Sequence, residues 1–208
     1  YKPEEKLDFY NQVLEQEDVS PGVLLFLSRD ESIEIRQIVA KNPSTPPEAL
    51  LVLSKDEAMI IRRIVAENPN TPIQVLLDLS KDNVVGVRSS VAKNPNTPTE
   101  VLLTLSKNKD RRTIRKSLAK NPSTPPEALL ILSKDADWRI RSWVATSPNT
   151  PPEALIALSK DEDWKIRSWV AANTSTPPEA LIALSKDDDD RVRSGLNNNP
   201  NFSKEQRS

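Results

Sequence analysis

Arginine is the residue type most regularly placed to do chemistry along this chain. Arg36, Arg62, Arg88, Arg115, Arg141, Arg167 and Arg193 recur at 26-residue intervals, with a single 27-residue step between Arg88 and Arg115. Forked cations in register could clamp phosphates, or each could bridge to an aspartate or backbone carbonyl of a neighbouring copy. Their place favours the second use. Each follows a core Ile or Val and precedes the next core aliphatic and Ala, on the flank that must meet an adjacent helix. Other chemistry has few carriers. Without histidine or cysteine, the usual proton shuttle, nucleophile activator and thiolate metal ligands are absent. Three glycines cannot build a phosphate-cradling loop. The run Asp187 to Asp190 lacks the glycine and alternating spacing of a calcium loop, and helix starts favour carboxylates anyway. No enzymatic activity, cofactor or metal is expected.

A repeated block positions these arginines. Asn42, Asn68, Asn94, Asn121, Ser147, Asn173 and Asn199 hold equivalent places in successive copies, and the longer step carries its one inserted residue between Lys107 and Ile114. A block of this length cannot bury its apolar face alone, so copies stack into a solenoid. With 208 residues, 37% of them hydrophobic, the chain can fill a core spread along such an array. Most of the 18 prolines punctuate the copies in Asn-Pro and Thr-Pro-Pro steps.

Each copy reads as two helices. The first is expected to open on Thr45, Thr71, Thr97, Thr124, Thr150 or Thr176 as N-cap. Proline follows at the first helical position, and Glu48, Gln74, Glu100, Glu127, Glu153 or Glu179 stands three residues on, as in a capping box. Paired prolines and close leucines leave room for 3₁₀ geometry there. The second helix is expected to take Asp30, Asp56, Asp82, Asp135, Asp161 or Asp187 as N-cap. It runs through Ile-Arg-x-x-Val-Ala and stops before the next Asn-Pro, because the residue before proline is pushed out of helical geometry. The reading divides the chain into an N-terminal capping helix at 1–15, with Leu7, Tyr10, Val13 and Leu14 on one face, a solenoid at 16–198, and an incomplete copy or tail at 199–208.

The pattern Asn-Pro-Asn-Thr-Pro-Pro-Glu-Ala-Leu, followed by Ser-Lys-Asp-x-Asp-Trp-x-Ile-Arg-x-x-Val-Ala, resembles the leucine-rich repeat variant family, bacterial relatives of HEAT-type repeats. The resemblance spans roughly residues 19 to 201. It implies an all-α fold, an α-solenoid forming a right-handed superhelix, with second helices alternating with short α or 3₁₀ helices, and no enzymatic activity. The family's founding member also carries a cysteine-rich iron–sulfur segment; with no cysteine here, nothing of that cluster carries over.

One face of the second helix remains for a partner. At about 100° per residue, Ile140 and Val144 mark the core, and Arg139, Ser142 and Thr146 point the opposite way. Across the copies these positions hold Lys41, Arg63, Lys93, Lys116, Lys120, Arg139, Lys165 and Arg191 against Glu34 and Glu67, eight cations and two acids, in a chain whose net charge is −1. Such segregation favours an anionic partner. Ordinary helix support competes as an explanation: Lys41, Lys93 and Lys120 close their helices, and Asp135–Arg139, Asp161–Lys165 and Asp187–Arg191 have i,i+4 spacing. Trp138 and Trp143, then Trp164 and Trp169, border the stripe where earlier copies have aliphatic residues or Met, as binding hot spots or as a wider core would require. The copy from Asn94 to Lys120 is the most basic, and its insertion is expected to bulge the interhelical loop.

The sequence thus reads as an interaction scaffold whose concave second-helix face binds an acidic or extended protein segment. The expected contacts are Arg63, Lys93, Lys116, Lys120, Trp138, Arg139, Trp143, Trp164, Lys165, Trp169 and Arg191. Nucleic-acid binding through the basic stripe is the alternative, disfavoured by the near-neutral net charge. A glycosylase-like activity, known on some HEAT-like folds, would need a carboxylate in the groove between aromatics, and the aspartates sit at helix starts. No membrane association, a monomeric state and a cytoplasmic location complete the expectation.

Overall fold

The computed structural model describes residues 19–107 and 112–202. The expected helix at 1–15, the inserted stretch at 108–111 and residues 203–208 of the tail lie outside them. The described residues form α-helices and one short 3₁₀ turn, with no strand. The first helices of the copies are α1 (Pro21–Leu27), α3 (Pro47–Leu53), α5 (Ile73–Leu79), α7 (Thr99–Ser106), α9 (Pro126–Leu132), α11 (Pro152–Leu158) and α13 (Pro178–Leu184). The second helices are α2 (Ile33–Lys41), α4 (Met59–Glu67), α6 (Val85–Lys93), α8 (Arg112–Lys120), α10 (Trp138–Thr146), α12 (Trp164–Ala172) and α14 (Asp190–Gly195), the last continued by a 3₁₀ turn at Leu196–Asn198. The chain forms two compact units, Tyr1–Val101 and Leu102–Ser208. Within the first, α2, α4 and α6 pack side by side; within the second, α8, α10, α12 and α14 do. This is the α-solenoid that the repeat implies.

Burial follows the leucine and Ile-x-x-x-Val pattern. Leu50, Leu53, Ile61 and Val65 in the first unit, and Leu129, Leu132, Ile140 and Val144 in the second, are almost wholly removed from solvent. The first helices are α-helical rather than 3₁₀: Leu50, Leu129, Leu155 and Leu181 each donate an amide bond four residues back, to Pro46, Pro125, Pro151 and Pro177. Two prolines at the start do not tighten a helix, because its first amides have no intrahelical acceptor in any case.

Both expected caps are displaced. The N-cap of the first helix is the first proline of the pair, as at Pro46, Pro125, Pro151 and Pro177, and its neighbour threonine makes no cap bond. Being followed by proline, the threonine is held out of helical geometry. Its hydroxyl turns backward and donates to the closing turn of the preceding second helix: Thr45 to the Val39 carbonyl at 2.5 Å, Thr124 to Leu118 at 2.6 Å, Thr150 to Val144 at 2.5 Å. Those threonines are buried. They pin a helix C-terminus, so the capping box does not form. The expected aspartate N-caps stand two residues too early. Ser32, Asp137, Asp163 and Asp189 are the side-chain caps, whereas Asp56, Asp82, Asp135, Asp161 and Asp187 close an Asx turn by accepting from the amide two residues on, at 2.8–3.0 Å.

Candidate functional site

The arginine series belongs to the seam between copies. Arg36, Arg62, Arg141 and Arg167 each donate through Nε, at 2.6–2.7 Å, and through an Nη to the aspartate 20 residues ahead: Asp56, Asp82, Asp161 and Asp187. Arg115 forms an ion pair with Asp135, its Nε 2.5 Å from the carboxylate. The other Nη ties the arginine's own interhelical loop, as Arg141 does on the carbonyls of Asp135 and Ala136. Side-chain exposure of 11% for Arg141 and 7% for Asp161 leaves no room for a phosphate. These bonds hold the guanidinium groups above their usual pKa. They also hold Asp187 below the ordinary carboxylate range; at Asp82 burial pushes upward most strongly, but the Arg62 bond, the Val84 amide and the nearby guanidinium charges together leave that carboxyl low as well. The same aspartates are therefore not the i,i+4 partners of the stripe. Arg139 and Arg191 pair instead with the cap residues Asp137, at 3.7 Å, and Asp189, at 2.7 Å.

Asparagine completes the seam. Asn68, Asn94, Asn173 and Asn199 each donate Nδ2 to two carbonyls of the preceding copy, for example Asn173 to Ala145 at 2.7 Å and Ser147 at 3.0 Å. The sequence reading used these asparagines only as register marks. All four are buried, so their amides need those partners.

The outer face differs between units. Ser142 and Ser89, expected to face solvent, are buried at 8% and 3% exposure. The equivalent Ser168 lies in the seam with the next second helix. On α14, a Cβ at Gly195 would come within 2.7 Å of the Ser168 carbonyl on α12, so only glycine fits at that crossing. The outward side of the second unit's second helices carries a mixed row of cations and rings, with Trp138 exposed and Trp143, Trp164 and Trp169 half-buried. The Arg139 guanidinium carbon lies 4.7 Å from the Trp138 centroid, and Lys165 Nζ stands 5.7 Å from Trp138 and 5.9 Å from Trp164. Arg191 lies 3.5 Å from Trp164. Read along the helices, the order is Arg139, Trp138, Lys165, Trp164, Arg191. One turn further on, Lys116 and Lys120 of α8 both lean over Trp143, at 5.3 and 4.9 Å. Trp169 separates two open clefts, one of about 280 Å³ lined by Trp164, Lys165 and Ser168, the other of about 240 Å³ against Thr146, Pro148 and Thr174. Such cation–π contacts hold rings and ammonium groups in fixed positions without neutralising the charge.

In the first unit the same positions carry no tryptophan. Lys93 Nζ lies 3.7 Å from Glu67, whose other partner is the Ser90 hydroxyl. Arg63 is exposed, its aliphatic stem 3.8 Å from where a Cβ on Gly86 would stand. The structure therefore brings Lys116, Lys120, Trp138, Arg139, Trp143, Trp164, Lys165, Trp169 and Arg191 together on the second unit, and places Arg63 and Lys93 on the first. The acidic run at Asp187 to Asp190 is engaged: Asp187 with Arg167, Asp189 with Arg191, and Asp190 with Arg193. Among the described residues no cluster of carboxylates could hold a metal ion, and no helix is long and apolar enough to cross a membrane.

Two-helix units locked by a repeated Arg–Asp seam define an α-solenoid repeat protein, a class whose fold is typically non-enzymatic and suits a scaffold. Residues 33–58 match the family model described as "Leucine rich repeat variant", so the resemblance read from the repeat stands. A solved structure entitled "A leucine-rich repeat variant with a novel repetitive protein structural motif" superposes with a TM-score of 0.63 over 93% of this chain and 82% of that one. At 24% identity this likeness speaks for the fold. An X-ray structure of YIBA from E. coli, 18% identical over 94% of this chain and 74% of that one, reaches a TM-score of only 0.37. No curated protein matches.

Proposed function

We propose that this chain acts by binding, and that the second-helix face of the second unit holds an acidic, extended protein segment. One observation carries the reading. Lys116, Lys120, Arg139, Lys165 and Arg191 stand among the chain's four tryptophans, and the equivalent outward positions of α8, α10, α12 and α14 hold no acid. Rings flanked by fixed cations supply apolar anchoring area and charge complementarity together. Nucleic acid fits less well. The arginines that looked spaced for phosphates are spent in the seam, and the chain's net charge is −1.

Fluorescence anisotropy tests this with a labelled polyglutamate peptide and a labelled oligothymidylate. The peptide should bind. Trp143→Ala and Trp169→Ala should each weaken it by about 2 kcal/mol or more, as hot-spot truncations do. Met59→Ala and Val85→Ala in the first unit should leave it unchanged. Changing Lys116, Lys120 and Arg139 to Gln should mainly slow association. For the oligonucleotide the dissociation constant should be about 10⁻⁵ M or weaker at physiological salt. Submicromolar oligonucleotide binding there would transfer the assignment to nucleic acid.

A further inference from the structure

The proposed face also sets the spacing of what it binds. In the second unit α10, α12 and α14 lie side by side, and each contributes one outward cation at the same helical place: Arg139, Lys165 and Arg191. Trp138 lies between the first two and Trp164 between the last two, each ring within 6 Å of both neighbours. The row alternates charge and ring once per helix. Packed helices stand about 8–10 Å apart, so that is the period a partner must match.

Among extended conformations one meets it directly. A polyproline-II chain has three residues per turn and rises about 3.1 Å per residue, so every third side chain returns to the same side after about 9 Å. A β-strand repeats its face every second residue, about 7 Å, and next at about 13 Å, so it falls out of step with the helices. The two aspartates paired with the row lie deeper than the cations they hold, and Asp190, 86% exposed beside Arg191, is paired with Arg193. Asp137 and Asp189 cap their helices and show 17% and 20% of their side chains, whereas Arg139 and Arg191 show 50% and 60%. A ligand meets guanidinium, ammonium and indole first.

We infer that this face binds a polyproline-II segment bearing an acidic residue at every third position, with acids on Arg139, Lys165 and Arg191 and the intervening prolines on Trp138 and Trp164. Proline is the apt filler because it fixes that conformation in the free peptide and presents a flat apolar ring to an aromatic floor. The inference rests on the acidic-segment reading above.

The test titrates the whole chain, following its tryptophan fluorescence, with four probes of equal length. These are six repeats of Glu-Pro-Pro, a peptide of the same composition with its glutamates in adjacent pairs, six repeats of Glu-Gly-Gly, and oligothymidylate. The Glu-Pro-Pro peptide should bind at least about tenfold tighter than the paired control, since its linked contacts engage together. It should also bind more tightly than the glycine version, which must be ordered on binding. Lys165→Gln, which removes the central contact, should shrink the preference over the paired control. Equal affinity for the spaced and paired peptides would overturn the spacing while leaving the acidic-segment reading in place. Parity of Glu-Gly-Gly with Glu-Pro-Pro would overturn the polyproline-II conformation. If no acidic peptide binds, or if oligothymidylate binds best, both this inference and the reading beneath it fail.

Discussion

Helices α4 and α6 of the first unit and α10 and α12 of the second share one framework and carry different faces. In both units a buried arginine bridges the aspartate 20 residues ahead, an asparagine donates to two carbonyls behind, and a threonine hydroxyl pins the preceding helix. At the positions that hold tryptophan in the second unit, the first has Met59 and Val85 toward solvent and Ile64 and Ser90 buried, with Lys93 beside Glu67. The second has four tryptophans interleaved with cations. Residues that satisfy buried polar groups are fixed by the copy next to them, because an orphaned donor or acceptor costs more than its hydrogen bond returns. Outward residues have no such obligation. Where two units share most of a framework and diverge most at their exposed positions, the divergence points to recognition rather than folding.

The comparison breaks first if the framework is not shared. Arg62→Ala in the first unit and Arg141→Ala in the second should each destabilise by about 3–5 kcal/mol, since each strands a nearly buried aspartate. Urea denaturation measures this, and a loss under about 1 kcal/mol at either site would end the equivalence of the two seams. Acid should act on the same bridges in both units. Asp82 and Asp187 have folded pKa values below the ordinary one. Their stabilisation is therefore complete above the unfolded value of about 3.9 and drains away as pH falls through the folded values. The urea midpoint should begin to fall below about pH 4, and a flat profile there would contradict the bridges.

Next in size, Thr71→Ala and Thr150→Ala should cost about 1–3 kcal/mol each, because each leaves a buried carbonyl without its hydroxyl donor. Ser44→Ala should cost almost nothing, since Ser44 takes part through its amide on Asn42. Matched costs at the two threonines, read from urea midpoints, would sharpen the claim of a common scaffold. The smallest effect is a gain. Ser147 stands where the neighbouring copies have asparagine, so the double bond onto the copy behind is absent from its side chain. Ser147→Asn should restore it and raise stability by about 0.5–1.5 kcal/mol, the net worth of an intramolecular hydrogen bond. A fall in stability would mean that the second unit has closed around serine.

The two-helix block, the stacked fold and the structural use of arginine were legible in the sequence because each leaves a periodic trace. The errors came where a side chain serves a neighbour rather than its own helix. Thr150 has the spacing of an N-cap, yet two prolines move the cap forward by one residue and free its hydroxyl for Val144. Asp161 looks like a cap or an i,i+4 partner of Lys165, but Arg141 claims both its oxygens from the copy before. A helical wheel puts Ser142 on the solvent side, and only packing between second helices buries it. The cations of the face stand out by charge segregation, and the tryptophans by replacing the aliphatic residues or Met of earlier copies. Their alternation could not be seen, because it joins residues 27 positions apart: Lys165 on Trp138, Arg191 on Trp164.

The seam bonds have a direction. Arginine reaches ahead to the next copy's aspartate, while asparagine reaches back to the previous copy's carbonyls. A copy that carries both residues therefore presents a socket on one side and a matching plug on the other. A gene carrying such a block can lose or duplicate one unit by unequal recombination, and the newly joined surfaces still complement each other. Length then becomes a quantity that inheritance can adjust in whole units, and a longer or shorter outer face follows without redesign of the core.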